Sequence, residues 1–342
     1  GTASIDDAYI AFVQLTSTTP ATYYVSKAGG ASDSNPGTQG SPWLTIAHAI
    51  SVAVAGDTVY VVAGTYDEHS LTITANGGPT SRIRFVSETK WGAQILPTAD
   101  VSEGTFGYPG NCIFRIEGDY INVEDFYIAP GAAGLIQIGI SIAGSNCIVK
   151  GNKVVDINII GTYVGSGMDV IGYGNVIDSC VILHAGNSAL DHGIYQWGGI
   201  NTMINNLIGY ITGFGITTWH AVEGTFMHNN TVFNCGEGGL LVASGESPVT
   251  LTDGRISNNI VYGCGTYGIQ ESSGESTGCL YYNNLGYANA TATIFLWSGT
   301  QSGTITADPL FVNYQANGSG DYHVSSGSPA INSGYATYAP SY

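Results

Sequence analysis

The sequence predicts an all-β solenoid, a parallel β-helix closed at its N-terminal end by one short helix, and three observations carry that prediction. A Gly followed by an aliphatic residue recurs at Gly139-Ile140, Gly167-Met168, Gly193-Ile194, Gly215-Ile216, Gly239-Leu240 and Gly268-Ile269, at spacings of 28, 26, 22, 24 and 29 residues. Roughly half a period away runs a second ladder, Asn152, Ser179, Asn206, Asn230, Asn259 and Asn284, spaced 27, 27, 24, 29 and 25. Glycine supplies 49 of 342 residues, roughly twice its usual ~7% share, so turns are frequent. A period near 26 with short Val/Ile/Leu stretches and no helix between them fits one coil of a parallel β-helix. The competing leucine-rich repeat would show an LxxLxL pattern, which is missing. In such a solenoid each coil buries its aliphatics, and aligned Asn amides bridge neighbouring coils at the turns.

In chain order, residues 1–22 alternate weakly (Ile5, Ala8, Ile10, Phe12, Val13, Leu15) and then give way to Thr and Ser. They read as a strand and linker from an upstream module, or equally as a strand packed on the main body. Gly1 stands where an initiator Met would, and no signal segment is visible, so a mature, processed or excised polypeptide is expected. Residues 23–342 read as one domain: a cap over 23–70, coils over about 71–305 and a closing segment over 306–342. Within the cap, Trp43, Ile46, Ala47, Ile50 and Val54 recur at helical spacing. This predicts a helix over 43–54, N-capped by Ser41 with Pro42 at its first position and ended by Gly56. Such a helix would plug the open solenoid end, which otherwise exposes unpaired strand edges. The six Cys are too sparse for a disulfide scaffold and lack zinc spacing. They read as small buried residues stacked in register, with Cys235 and Cys264 on adjacent coils and free to be either bonded or reduced.

The cap carries Asn35-Pro36-Gly37-Thr38, Pro42-Trp43, Thr45-Ile46, Ala49-Ile50, Gly56-Asp57-Thr58-Val59 and Gly64-Thr65-Tyr66 with Glu68. The chain end carries Asp308-Pro309-Leu310-Phe311, Gly320-Asp321-Tyr322 and Gly327-Ser328-Pro329-Ala330-Ile331. Together these resemble right-handed parallel β-helix proteins of the pectate-lyase-like superfamily, over residues 23 to 334. The resemblance implies the right-handed fold. For activity it implies only a choice among lyases, hydrolases, epimerases, tailspikes and non-catalytic surface proteins, and hence an extracellular or virion-borne setting. A tailspike segment would be a homotrimer.

Charge narrows the partners. Eight Lys and Arg against 25 Asp and Glu leave a net charge of −17, so the chain lacks the basic face that nucleic acid requires. Anionic membranes are disfavoured for the same reason, and no apolar run of about 18 residues is present to insert into one. A neutral or weakly charged polysaccharide is the expected partner, with no cofactor required; calcium is the ion a uronate lyase would recruit.

Residues at equal offsets from the repeat Gly form rows across the sheet, about 4.8 Å per coil. The second position gives Ser141, Asp169, Tyr195, Thr217, Leu241 and Gln270, an outward row; the fourth gives Ala143, Ile171, Trp197, Trp219, Ala243 and Ser272. Trp197 and Trp219 are expected to face outward, their neighbours Gln196 and Thr218 being polar, and with Tyr195, Thr217 and His220 to form a sugar-stacking platform. The catalytic candidates are Asp169, Asp191, His192 and Glu223, with His228, Glu237, Glu246 and Glu271 further off. Hydrolysis of a glycosidic bond needs two carboxyls about 5–5.5 Å or 6.5–9.5 Å apart, and this is the leading expectation. Asp169 and Asp191 lie on successive coils but four residues offset, too far on a flat strand at about 3.3 Å per residue. β-Elimination, the second expectation, would use His192 and Tyr195, because the repeats hold only Lys150, Lys153 and Arg255 as cations. A non-catalytic glycan-binding or structural β-helix is the third.

Overall fold

The computed structural model describes residues 19–99, 112–132, 136–157, 165–245, 250–272 and 276–338. It is a right-handed parallel β-solenoid of about eight turns. The wall has three parallel ladders. Two of them, running from Thr22–Val25 to Thr300–Ser302 and from Leu71–Ile73 to Ala292–Phe295, merge into one 18-stranded sheet where His192–Ile204 and Phe214–His228 bend from one face to the next. The third holds ten strands, from Gly64–Tyr66 to Ile305–Thr306. The weakly patterned N-terminal residues Ile5 to Leu15 lie outside the described residues.

The repeat Gly register is the real one. Phe114, Ile140, Met168, Ile194, Ile216, Leu240 and Ile269 stack in one column through successive coils, and all are fully buried. Each adds an apolar side chain to a continuous core, at about 25 cal/mol per Å² removed from water.

The Asn ladder is real as well, with one displaced rung. Asn152, Asn206, Asn230, Asn259 and Asn284 each accept the backbone N–H of the preceding coil, at 2.9–3.0 Å. Each amide also donates to a carbonyl on that coil. The rung expected at Ser179 is Cys180, whose N–H bonds Asn206. Ser179 occupies the position before the rung, which is left-handed in every coil from Asp125 to Asn283. That position is filled by Asp125, Gly151, Ser179, Asn205, Asn229, Asn258 and Asn283, small or polar residues that tolerate φ > 0.

The capping helix spans Ile46–Val52, shorter than expected. Its N-cap is Thr45, whose hydroxyl accepts from the His48 N–H, rather than Ser41. Asp33 accepts from the N–H groups of Leu44 and Thr45, and Glu68 from those of Ile46 and Ala47. The carboxylates thus satisfy donors at the helix start that have no intrahelical partner. Trp43 lies outside the helix, buried and stacked on Tyr23 at 4.5 Å. At the other end, Phe311–Asn313 and Asp321–Val324 form an antiparallel hairpin. It docks on the third ladder through Tyr322, which stacks on Phe233 at 4.3 Å. All six Cys are buried and not bridged, including Cys235 and Cys264, whose side chains are hydrogen-bonded to each other.

Candidate functional site

The outward row occurs in the predicted order. Arg115, Ser141, Asp169, Tyr195, Thr217, Leu241 and Gln270 are register partners on successive coils. A second outward column, Ser166, His192, Phe214 and Gly238, runs beside it. Arg115 was missed by sequence reasoning because its coil lacks the Gly-aliphatic signature. It stands one period of 26 before Ser141, so extending the ladder one step would have found it.

Where the two columns meet Trp219, the surface sinks into a cavity of about 350 Å³ lined by Ala189, Leu190, His192, Tyr195, Phe214, Thr217, Trp219, His220 and Leu241. The Trp219 indole packs against Gly245, where a Cβ would come within 2.1 Å of the ring. The Tyr195 ring sits 4.8 Å from His192 and 6.1 Å from His220. His192 is 7% exposed, its Nδ1 is 3.2 Å from Thr217 Oγ1, and burial pushes its pKa down to about 3. At neutral pH the ring is therefore uncharged, with one ring nitrogen unprotonated.

Trp197 and Trp219 are both half-buried on the outer side, but for a reason opposite to the one expected. Gln196 and Thr218 are fully buried and point inward, their side chains bonded to the carbonyls of Gly224 and Ala243 among others. Alternation then turns the Trp residues outward. Nor do the two indoles form one platform. The register slips between Gln196 and Gly198, so Trp197 faces both Trp219 and His220. It packs edge-on against His220 at 5.8 Å and does not line the cavity.

The carboxylates disperse. Asp191, expected as catalytic, accepts the N–H groups of Gly165, Asn187 and Ser188 at 2.8 Å each. Both oxygens are thereby committed to shaping the turn before the strand. Glu223 is exposed, away from the cavity, and accepts the Tyr173 hydroxyl at 2.7 Å. Glu271 is fully buried and binds the N–H groups of Trp297, Ser298 and Gly299. Glu237 does not line the cavity, His228 sits on the other face of the wall against Ser257, and Glu246 lies outside the described residues. Asp169 alone stays beside the cavity, one rung from Tyr195, hydrogen-bonded by Ser166. Burial pushes its carboxyl up to about 7, against the pull of Ser166 and Arg115. Arg115 itself bonds Glu117 at 2.9 Å and Ser141 at 3.4 Å. Among the described residues, no three His, Cys, Asp or Glu side chains gather to hold a metal ion, and no helix is long and apolar enough to cross a membrane.

A family model described as "Right handed beta helix region" matches residues 138–308, and a second, "Protein of unknown function (DUF1565)", matches residues 28–72. In fold the chain is similar to the crystal structure of pectate lyase Pel9A, with a TM-score of 0.71 and 15% identity over 95% of this chain and 94% of that one. It is also similar to the alginate lyase from Paenibacillus sp. str. FPU-7, with a TM-score of 0.64 and 17% identity over 84% and 95%. A curated relative, the uncharacterized protein YwoF of Bacillus subtilis (strain 168), is 28% identical over 137 residues, 38% of this chain. The match spans 28% of that relative's length.

Proposed function

The chain belongs to the right-handed β-helix family, and from that premise we propose that it is a polysaccharide-active enzyme of the elimination class, acting outside the cell on a uronate polymer whose carboxyls are neutralised, as in an ester. One observation carries this reading: the cavity is lined by two His, one Tyr, one Thr and apolar groups, with no carboxylate, Lys or Arg. Two-carboxylate hydrolysis has no partner there for Asp169. A free uronate would meet no Lys or Arg in this cavity. An ester solves both problems. It carries no charge, and its carbonyl acidifies the C5 proton enough for a weak base to remove.

In this reading the Trp219 and Phe214 faces pack against the sugar ring. The neutral His192 ring accepts the C5 proton, held in orientation by Thr217. The electron pair forms the C4–C5 double bond and expels the C4 oxygen, which Tyr195 protonates from its hydroxyl. Asp169, protonated near neutrality, favours a second reading in which it serves as the general acid of a hydrolase.

The two readings separate in one experiment. Esterified and free polyuronates and neutral glycans are incubated with the protein, and each digest is read for reducing ends and for the ultraviolet band of an unsaturated uronate. Both signals on the esterified polymer are expected, with Tyr195→Phe slowing turnover by about 100-fold or more. Reducing ends without the band would make the protein a hydrolase, and neither signal would make it a binding or structural module.

A further inference from the structure

On a different face, away from the cavity, Trp91 occupies a place in the wall where a large residue is out of pattern. The corner into the third ladder is turned on later coils by Asp, Gly, Ser or Asn in the left-handed region; here the turn between Ile83–Ser87 and Ala93–Ile95 is longer, Gly92 falls opposite Asp125, and Trp91 beside it has φ +62°. A bulky residue in that conformation is strained, and such strain gathers at functional positions. The neighbouring coils hold Trp91 in place. Its backbone N–H donates to Asp125 O at 2.6 Å, and its indole N–H to Gly151 O at 2.7 Å. Over this ring stand two ammonium groups, Lys90 Nζ at 5.0 Å and Lys153 Nζ at 5.2 Å. Lys153 also lies 5.7 Å from the Tyr127 ring.

The chain has four lysines in 342 residues. Two of them share one indole, and among the described residues neither lies within ion-pair distance of a carboxylate, although Lys27, Lys150, Arg84, Arg115 and Arg255 are all so paired. Asp125 lies near enough to feel Lys90, and Asp156 lines the cavity with Lys153, but neither carboxylate closes to an ion pair with these two ammonium groups. Tyr127 and Lys153 continue into a cavity of about 210 Å³ beside Asp156, His184 and the turn of the C-terminal hairpin at Asn317–Ser319. The juxtaposition is a point for a negative group, an aromatic face for a ring and a polar pocket beyond it.

We propose that Trp91, Lys90, Lys153 and Tyr127 form a second carbohydrate site, separate from the cavity at His192 and Tyr195, that takes the free carboxylate of an acidic sugar unit. The carboxylate lies between the two ammonium groups, and the adjoining ring packs on Tyr127 towards the hairpin. The site would hold polymer at Trp91 and the two ammonium groups, with the His184–Asp156 pair, 3.4 Å apart, at the hairpin side of the adjoining cavity.

Isothermal titration of the full chain tests this, with Tyr195→Phe in the background to prevent turnover. The probes are a galacturonate trimer, a neutral galactose trimer and inorganic sulfate. The galacturonate trimer should bind, more weakly as salt is raised, and the galactose trimer should not. The double variant Lys90→Ala/Lys153→Ala should lose at least tenfold in affinity; Lys153→Gln, which keeps the side-chain stem, should lose part of it. In the otherwise wild-type chain the double variant should leave the rate on a short substrate unchanged. Unchanged affinity in the double variant, equal binding of the neutral trimer, or sulfate binding as tight as the galacturonate trimer would each overturn the proposal.

Discussion

Asp191 and Tyr195 are four residues apart, and the structure gives them opposite kinds of importance. Asp191 holds three backbone N–H groups; removing it leaves buried donors unpaired at about 1–3 kcal/mol each. Asp191→Ala should therefore lower stability by about 3 kcal/mol in a denaturant titration, an effect that Tyr195→Phe should not share. Titration behaviour belongs to the same scale. His192 and His228 are held neutral by burial, with pKa values pushed down to about 3 and about 4. Their unfolded forms take up protons near pH 6.5, so their contribution is present above that pH and is lost as pH falls. Asp169 runs the other way: its pKa is raised to about 7, so its contribution is present at low pH and is lost as pH rises through that value. Wild-type stability should fall on acidification from pH 6.5 to 4.5, and Asp169→Asn should make the fall steeper by removing the opposing group. Denaturation midpoints at several pH values check this, and an unchanged slope would mean that Asp169 is ionised in the native state.

At the scale of elements, the Asn ladder is a chain of two-ended amides. Asn230 accepts from Asn206 N–H and donates to Met203 O, and its own N–H is taken by Asn259. Asn230→Ala would strand a buried donor and a buried acceptor in mid-stack, at a cost of about 2–5 kcal/mol. It should cost more than Asn284→Ala, which lies nearer the end, and the two midpoints in a denaturant titration decide. Strands of this kind were legible because period and burial coincide: an aliphatic after each Gly has only one place to go. The rung at Cys180 was not, because a search for polar residues slid to Ser179, and only backbone conformation separates the turn position from the rung. The helix start was misjudged for a related reason. Ser41-Pro42 has the composition of an N-terminus, yet the carboxylates of Asp33 and Glu68 that fix the actual start arrive from distant sequence. The acidic site residues failed in the same way. Whether Asp191, Glu223 or Glu271 is spent on backbone N–H groups or left free for chemistry depends on the path of the loops, which has no period.

The whole molecule carries its net charge of −17 on a short rod. Much of the cationic complement is committed to local pairs such as Arg84–Glu124 at 3.0 Å and Lys27–Glu68 at 3.4 Å, so most carboxylates are left to repel one another at long range. Such repulsion opposes the compact state and is screened within about 10 Å at 0.1 M salt. Raising NaCl from 10 to about 150 mM should therefore raise the melting temperature. The contribution of divalent ions is separable. With no cluster of three ligating side chains among the described residues, calcium should stabilise no more than magnesium at the same ionic strength, and EDTA should leave the melting temperature unchanged. A calcium-specific rise would instead reveal a site completed by groups beyond the described residues. It would also weaken the case for a neutral substrate, because a bound calcium ion could neutralise a free uronate in the place where the cavity offers no cation of its own.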